Sequence, residues 1–185
     1  FTGVTERPVL SINRGFSAPI KLVTDLTADD LAFLAAHDND PFNRWQALQT
    51  VSTRFLIDNV AALRTGAPAR SDEKLIAALA TLLDDQKREP AFVALALVPP
   101  GEGDIAREIG PDIDPDAIFG ARNALRTEIG HRLGSSLSAP YWVMAFPGPL
   151  QPAPPRPGAP SLRHVAPYLL PRPAGRYRTV RPFLA

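Results

Sequence analysis

From Thr27 onward, apolar residues recur at steps of three and four. That spacing predicts a run of amphipathic helices. Thr27-Ala28-Asp29-Asp30 reads as a capping box in which Asp replaces the usual Glu or Gln. Leu31, Phe33 and Leu34 follow, and this first helix is expected to stop near His37. Asp40-Pro41 supplies an N-cap acid and then a proline at the first helical position, where its missing N–H costs nothing. Phe42, Trp45, Leu48, Ser52, Phe55, Leu56, Val60 and Leu63 then lie on one face, and Gly66 marks the end. Ser71 is expected to cap a third helix that carries Leu75, Ile76, Leu79, Leu82 and Leu83 and ends at Asp84-Asp85. Glu89-Pro90 opens a short helix through Leu97, and a brief helical turn is expected over 104–109. Asp114-Pro115 opens the last long helix, striped by Ile118, Ala121, Leu125, Ile129, Leu133 and Leu137, with Pro140 helping to end it. Phe42, Trp45, Leu48, Phe55, Leu79, Leu83, Ile118, Leu125, Ile129 and Leu133 are the expected core.

Before Thr27 the pattern changes. Val9-Leu10-Ser11-Ile12 and Ala18-Pro19-Ile20-Lys21-Leu22-Val23 flank the turn signal Asn13-Arg14-Gly15 and read as two strands. Two strands alone are marginal in water, so a sheet completed elsewhere is expected. The expected fold is therefore mainly α: an antiparallel helix stack, the first part of a HEAT-like superhelix, preceded by the last two strands of a β-sandwich. No fixed repeat period is visible. The expected organisation is residues 1–24 as the end of a β-sandwich domain, 25–139 as a partial C-terminal helical domain, and 140–185 as a tail.

Composition separates that tail from the rest. All 19 acidic residues lie at or before Glu128, and the seven basic residues after it are all Arg. Twelve of the 21 prolines fall in residues 140–185. A Pro/Arg-rich stretch without acids favours neither helix nor central strand. It is expected to be disordered, or to be read out of frame, and not to fold onto the helical core. Overlapping P-x-x-P units in 152–157 offer a polyproline reading. An arginine arm for nucleic acid would need salt-sensitive binding, and seven scattered Arg without a cluster argue against it. The absence of cysteine excludes a disulfide scaffold and a thiol nucleophile. No apolar run is long enough to span a membrane. Phe1-Thr2-Gly3 does not open a signal peptide and reads as the start of a segment within a longer protein.

Candidate chemistry is thin. His37, His131 and His164 lie far apart, with no H-E-x-x-H. His37, Asp38 and Asp40 read as a helix end and a cap more readily than as a metal cluster. Asp112, Asp114 and Asp116 imitate a calcium loop, but Ala117, Asn123 and Pro115 break its pattern. Ser71 and Lys74 match a serine–lysine pair whose companion motifs are missing, and Gly101-x-Gly103 lacks the strand and third glycine of a phosphate loop.

Two longer strings are more specific. Residues Glu6 to Leu22, containing Arg14-Gly15-Phe16-Ser17-Ala18-Pro19, resemble the P-V-x-S-L-x-R-x-F-S-A-P-V-K-L junction of the bacterial aminopeptidase N family. His37-Asp38-Asn39-Asp40-Pro41-Phe42-Asn43-Arg44-Trp45-Gln46-Ala47 is similar to the H-x-x-D-x-F-x-R-W-x-A run that opens that family's C-terminal helical domain. Leu82-Leu83-Asp84-Asp85 and Asp114-Pro115-Asp116-Ala117-Ile118 extend the resemblance, which covers residues 4 to 138. It implies a zinc exopeptidase that removes N-terminal residues from peptides. In that family zinc is held by H-E-x-x-H and a downstream Glu, and a G-A-M-E-N loop holds the free amine. None of these strings occurs here, so no catalytic, cofactor-binding or metal residue is carried over. Zinc is expected in the parent enzyme and not in this chain. The implied partners are the parent's catalytic domain and its peptide substrates, with no nucleic acid and no membrane, in a cytoplasmic location. This part would be the helical cap that encloses the active-site cavity, inert alone. A stand-alone α-helical binding module with a basic tail is the competing reading.

Overall fold

The computed structural model describes residues 3–20, 22–84, 90–143, 165 and 168–170. Among these residues six α-helices follow one another: α1 (Ala28–His37), α2 (Pro41–Arg64), α3 (Glu73–Asp84), α4 (Pro90–Leu97), α5 (Glu102–Ile109) and α6 (Pro115–Val143). Local chemistry sets most of their ends. At α1, Thr27 Oγ1 accepts from the Asp30 N–H at 3.1 Å while Asp30 Oδ2 accepts from the Thr27 N–H at 2.9 Å, so the box closes in both directions. Asp40 Oδ1 accepts from the Asn43 N–H at 2.9 Å, and Asp114 Oδ1 from the Ala117 N–H at 3.0 Å, each just ahead of a helix that begins with proline. Gly66, at φ 79°, takes the left-handed turn that follows α2.

Three of these ends differ from the expected ones. The α3 cap is Asp72, whose Oδ1 accepts from the Lys74 and Leu75 N–H groups, and not Ser71. A carboxylate receives two helix-end donors better than a hydroxyl does. Ser71 donates instead to Glu128 on α6. Helix α5 begins two residues earlier than expected, on Gly101. Helix α6 runs through Pro140 to Val143. The φ of proline is itself helical, and what Pro140 removes is one backbone donor close to the helix end.

Helix α2 is the axle of the stack. It packs against α1, α4, α5 and α6 and touches α3. Its inward row is Ala47, Leu48, Ser52, Leu56, Asn59 and Val60, small and leucine side chains that let neighbouring helices approach. They meet Leu31, Leu34, Leu79, Val93, Leu97, Ile105, Ile118, Ala121, Leu125 and Ile129 in one continuous core. Leu48, Leu79, Ile118, Leu125, Ile129 and Leu133 are buried as expected, and Phe55 and Leu83 pack partly buried against that core. Phe42 and Trp45 are only half-buried. They turn from the helix–helix core toward the N-terminal segment, where Phe16 lies 5.0 Å from Phe42 and Phe42 lies 5.9 Å from Trp45, ring centre to ring centre. Trp45→Ala should therefore cost about 1–2 kcal/mol in chemical denaturation, less than a fully buried aromatic.

Residues 8–23 form no strand among those described. Strand pairing needs a ladder partner, and neither stretch finds one here. The turn signal between them holds. Asn13, at φ 57°, leads a 3-10 turn over Arg14–Phe16. Its side chain donates to Ala18 O at 3.0 Å and accepts from the Ala18 N–H at 2.9 Å, closing the loop. The tail also departs from expectation at the few positions described: Val165, Tyr168, Leu169 and Leu170 pack on the helical core. The remainder of 144–185, with its P-x-x-P units and His164, lies outside the described residues, as does the expected α4 cap Glu89.

Candidate functional site

The two strings that carry the family resemblance come together in space. The three-residue connection between α1 and α2 places Asp38 under the turn at residues 13–16. The Asp38 side chain is 2% exposed. Its carboxylate accepts from Ser11 Oγ at 2.5 Å, from Arg14 NH1 at 2.9 Å and from the Asp40 N–H at 2.9 Å. Burial pushes this carboxyl's pKa up, but the bonds from Ser11, the Asp40 N–H and Arg14 outweigh it and hold it below its ordinary value. Asn43, in the first turn of α2, donates to Ser11 Oγ at 2.7 Å and to Ile12 O at 3.0 Å. Asp40 Oδ2 accepts from the Gly15 N–H at 2.8 Å, and Arg14 also reaches Asn39. Buried Arg44 donates from Nε to Ala35 O at 2.9 Å, satisfying a carbonyl at the end of α1 with a cation where the helix dipole favours one. The result is a polar clasp that fastens the N-terminal segment to the α1–α2 corner.

Beside the clasp lies a groove of about 690 Å³. Leu10, Ile12, Phe16 and Leu22 wall one side, and α2 and α5 supply Trp45, Thr53, Arg54, Asp104 and Arg107 on the other. Leu10, Ile12, Phe16, Ile20 and Leu22 are all exposed, and Val23 is 86% exposed. So large an apolar surface on one segment marks a contact face.

The other sequence candidates are spread apart. His37 stacks on Phe33 at 4.8 Å while Asp38 faces the clasp, so the two do not share a site. His131 is exposed on α6. Asp112 and Asp114 pair with Arg64 at 2.9 and 4.0 Å, and Asp114 also caps α6. Lys74 turns to Asp29 at 3.3 Å, away from Ser71. Among the described residues, no three His, Asp or Glu side chains gather as a metal ion requires. Among those residues, no helix is long and apolar enough to cross a membrane. Sequence reasoning missed the buried roles of Asp38, Asn43 and Arg44. The available signal was a dense polar run, H-D-N-D-P-F-N-R, between two apolar helices, where solvated residues alone would need no such specificity.

Comparison with known proteins agrees with this architecture. Residues 28–177 match a family described as a domain of unknown function (DUF3458_C) with ARM repeats. Aminopeptidase N of Caulobacter vibrioides is 40% identical over 146 residues, covering 78% of this chain and 16% of that protein. Aminopeptidase N of Escherichia coli is 33% identical over 141 residues, covering 76% of this chain and 16% of that protein. The crystal structure of Legionella pneumophila aminopeptidase A in complex with aspartic acid superposes with a TM-score of 0.71 at 19% identity, over 91% of this chain and 20% of that one. This chain thus spans about one sixth of the length of the curated relatives it matches. It belongs to the DUF3458_C ARM-repeat family and is homologous to the C-terminal helical part of aminopeptidase N.

Proposed function

We propose that this chain is the helical cap of a cytoplasmic zinc metalloaminopeptidase that takes N-terminal residues from peptides, and that it has no catalytic function alone. The observation that carries the reading is the clasp. The two strings that resemble aminopeptidase N are spent on binding an N-terminal strip to the α1–α2 corner through Asp38, Asn43 and Arg14. That strip leaves Leu10, Ile12, Phe16, Ile20, Leu22 and Val23 uncovered. A segment fixed so firmly on its polar side, with its apolar side open, is built to meet another part of the protein. The catalytic part is that partner, zinc and its ligands belong to it, and the cap restricts entry to peptides that can thread into the enclosed cavity.

The test is release of an aromatic amine from alanyl and leucyl amides. The purified chain with added zinc should stay at the blank rate. The complete reading frame of the gene should turn these amides over with zinc, and should cleave short peptides in preference to folded proteins. Zinc-dependent turnover by the chain alone would overturn the assignment of a non-catalytic cap. An inactive complete reading frame would overturn the peptidase reading.

A further inference from the structure

Along α6, Arg122, Arg126, Gly130 and Gly134 follow at steps of four and form one row. It lies next to the buried row Ala121, Leu125, Ile129, Leu133 and Leu137, which faces the core. A short piece of the tail is seated on the first row. Leu169 is 1% exposed and joins the main apolar cluster. Its backbone lies so close to α6 that a Cβ on Gly130 would sit 1.9 Å from Leu169 O, and one on Gly134 would sit 3.3 Å from Leu170 Cδ2. Only a residue without a side chain fits at position 130 under this segment. Just before the notch, Arg126 NH1 donates to Tyr168 O at 2.7 Å. The guanidinium groups of Arg122 and Arg126 lie 5.7 and 5.6 Å from the Tyr168 ring centre, within cation–π reach. Arg122 is itself held, donating from Nε to Pro100 O at 2.8 Å.

Stacked helical repeats bury each helix face against a neighbour, so an outward face of α6 needs a covering element. We infer that Tyr168–Leu170 is that element: a strap from the chain's own tail, read by a glycine notch and an arginine pair on α6, that covers this face of the helix. The inference is independent of the peptidase reading, because it concerns a contact within this chain. The strap's recognition elements are chemically distinct. Gly130 admits the backbone, Arg126 and Arg122 grip the aromatic residue, and Leu169 fills the apolar gap. The Tyr168 hydroxyl is buried and finds no hydrogen-bond partner among the described residues, so the contacts that hold this residue are those of its ring and its carbonyl.

Gly130→Ala in the full chain separates this role from a plain helical one. Alanine in a helix interior normally stabilises it. A strap seated on Gly130 reverses that sign, because the added methyl meets Leu169 O. The expected result is a lower Tm and cleavage by chymotrypsin after Tyr168 at least about tenfold faster, with α6 still helical by circular dichroism. Arg126→Gln, an exchange at the edge of the contact, should also speed that cleavage, and Tyr168→Phe should leave the strap seated. Unchanged cleavage in both Gly130→Ala and Arg126→Gln would overturn the strap. Protection that disappears on dilution would overturn it as well, since the segment would then be covering a second copy.

Discussion

Leu56→Ala should destabilise the helical unit by about 2–5 kcal/mol, read as a shift in the denaturant midpoint with an unchanged slope. Leu56 is 0% exposed. It sits in the middle of α2, the helix that contacts each of the other five. Removing its branch leaves a void bounded by several helices, which can collapse only if the whole stack shifts. The same change at Leu95, which is 61% exposed on α4, should cost far less. Equal losses at the two positions would mean that α2 is not the centre of the packing. A change in slope at Leu56→Ala would mean that the stack no longer unfolds as one cooperative unit.

The parts of this fold that could be read in advance are those governed by neighbours in sequence. Thr27 with Asp30, Asp40 with Pro41 and Asp114 with Pro115 each set a helix start through a side chain and a backbone N–H three residues apart, and the structure follows them. What was misread depends on partners far along the chain. Ser71 looked like a cap, but Glu128, fifty-seven residues later, claims its hydroxyl. Val9 to Ile12 and Ala18 to Val23 have strand-like composition, but the sheet expected for them is completed elsewhere, and no described residue supplies its ladder. The aromatic pair Phe42 and Trp45 fell on the expected helix face, but Phe42 meets Phe16 of the turn that Asn13 leads, and both rings are only partly buried. The tail was read from its prolines, and composition carries no sign that Gly130 leaves room for Leu169. Of the candidate site, the strings were visible as strings. Their meeting was not, because Ser11 and Asp38 are twenty-seven residues apart and each is unremarkable alone.

Asp38→Ala should release the N-terminal segment and cost about 3 kcal/mol, because it removes a buried acceptor from three donors at once. Ser11 Oγ, Arg14 and the Asp40 N–H would each be left to find water beneath a turn that no longer closes. The direct measure is hydrogen exchange at the Gly15 amide, which in the intact clasp donates to Asp40. Asp38→Asn is the more discriminating variant. It keeps the shape, loses the charge that Arg14 faces, and should open the clasp with a smaller loss of global stability. Acid should do the same to the unmodified chain. The folded Asp38 pKa lies below the ordinary value of 3.8, so its contribution is complete above that value and is lost as pH falls through the folded pKa. Gly15 protection should thus be flat from neutral pH down to about 4 and fall only below it, ahead of the core amides of α2 and α6. Loss of Gly15 protection between pH 5 and 7 would mean that some group other than this carboxylate holds the corner together.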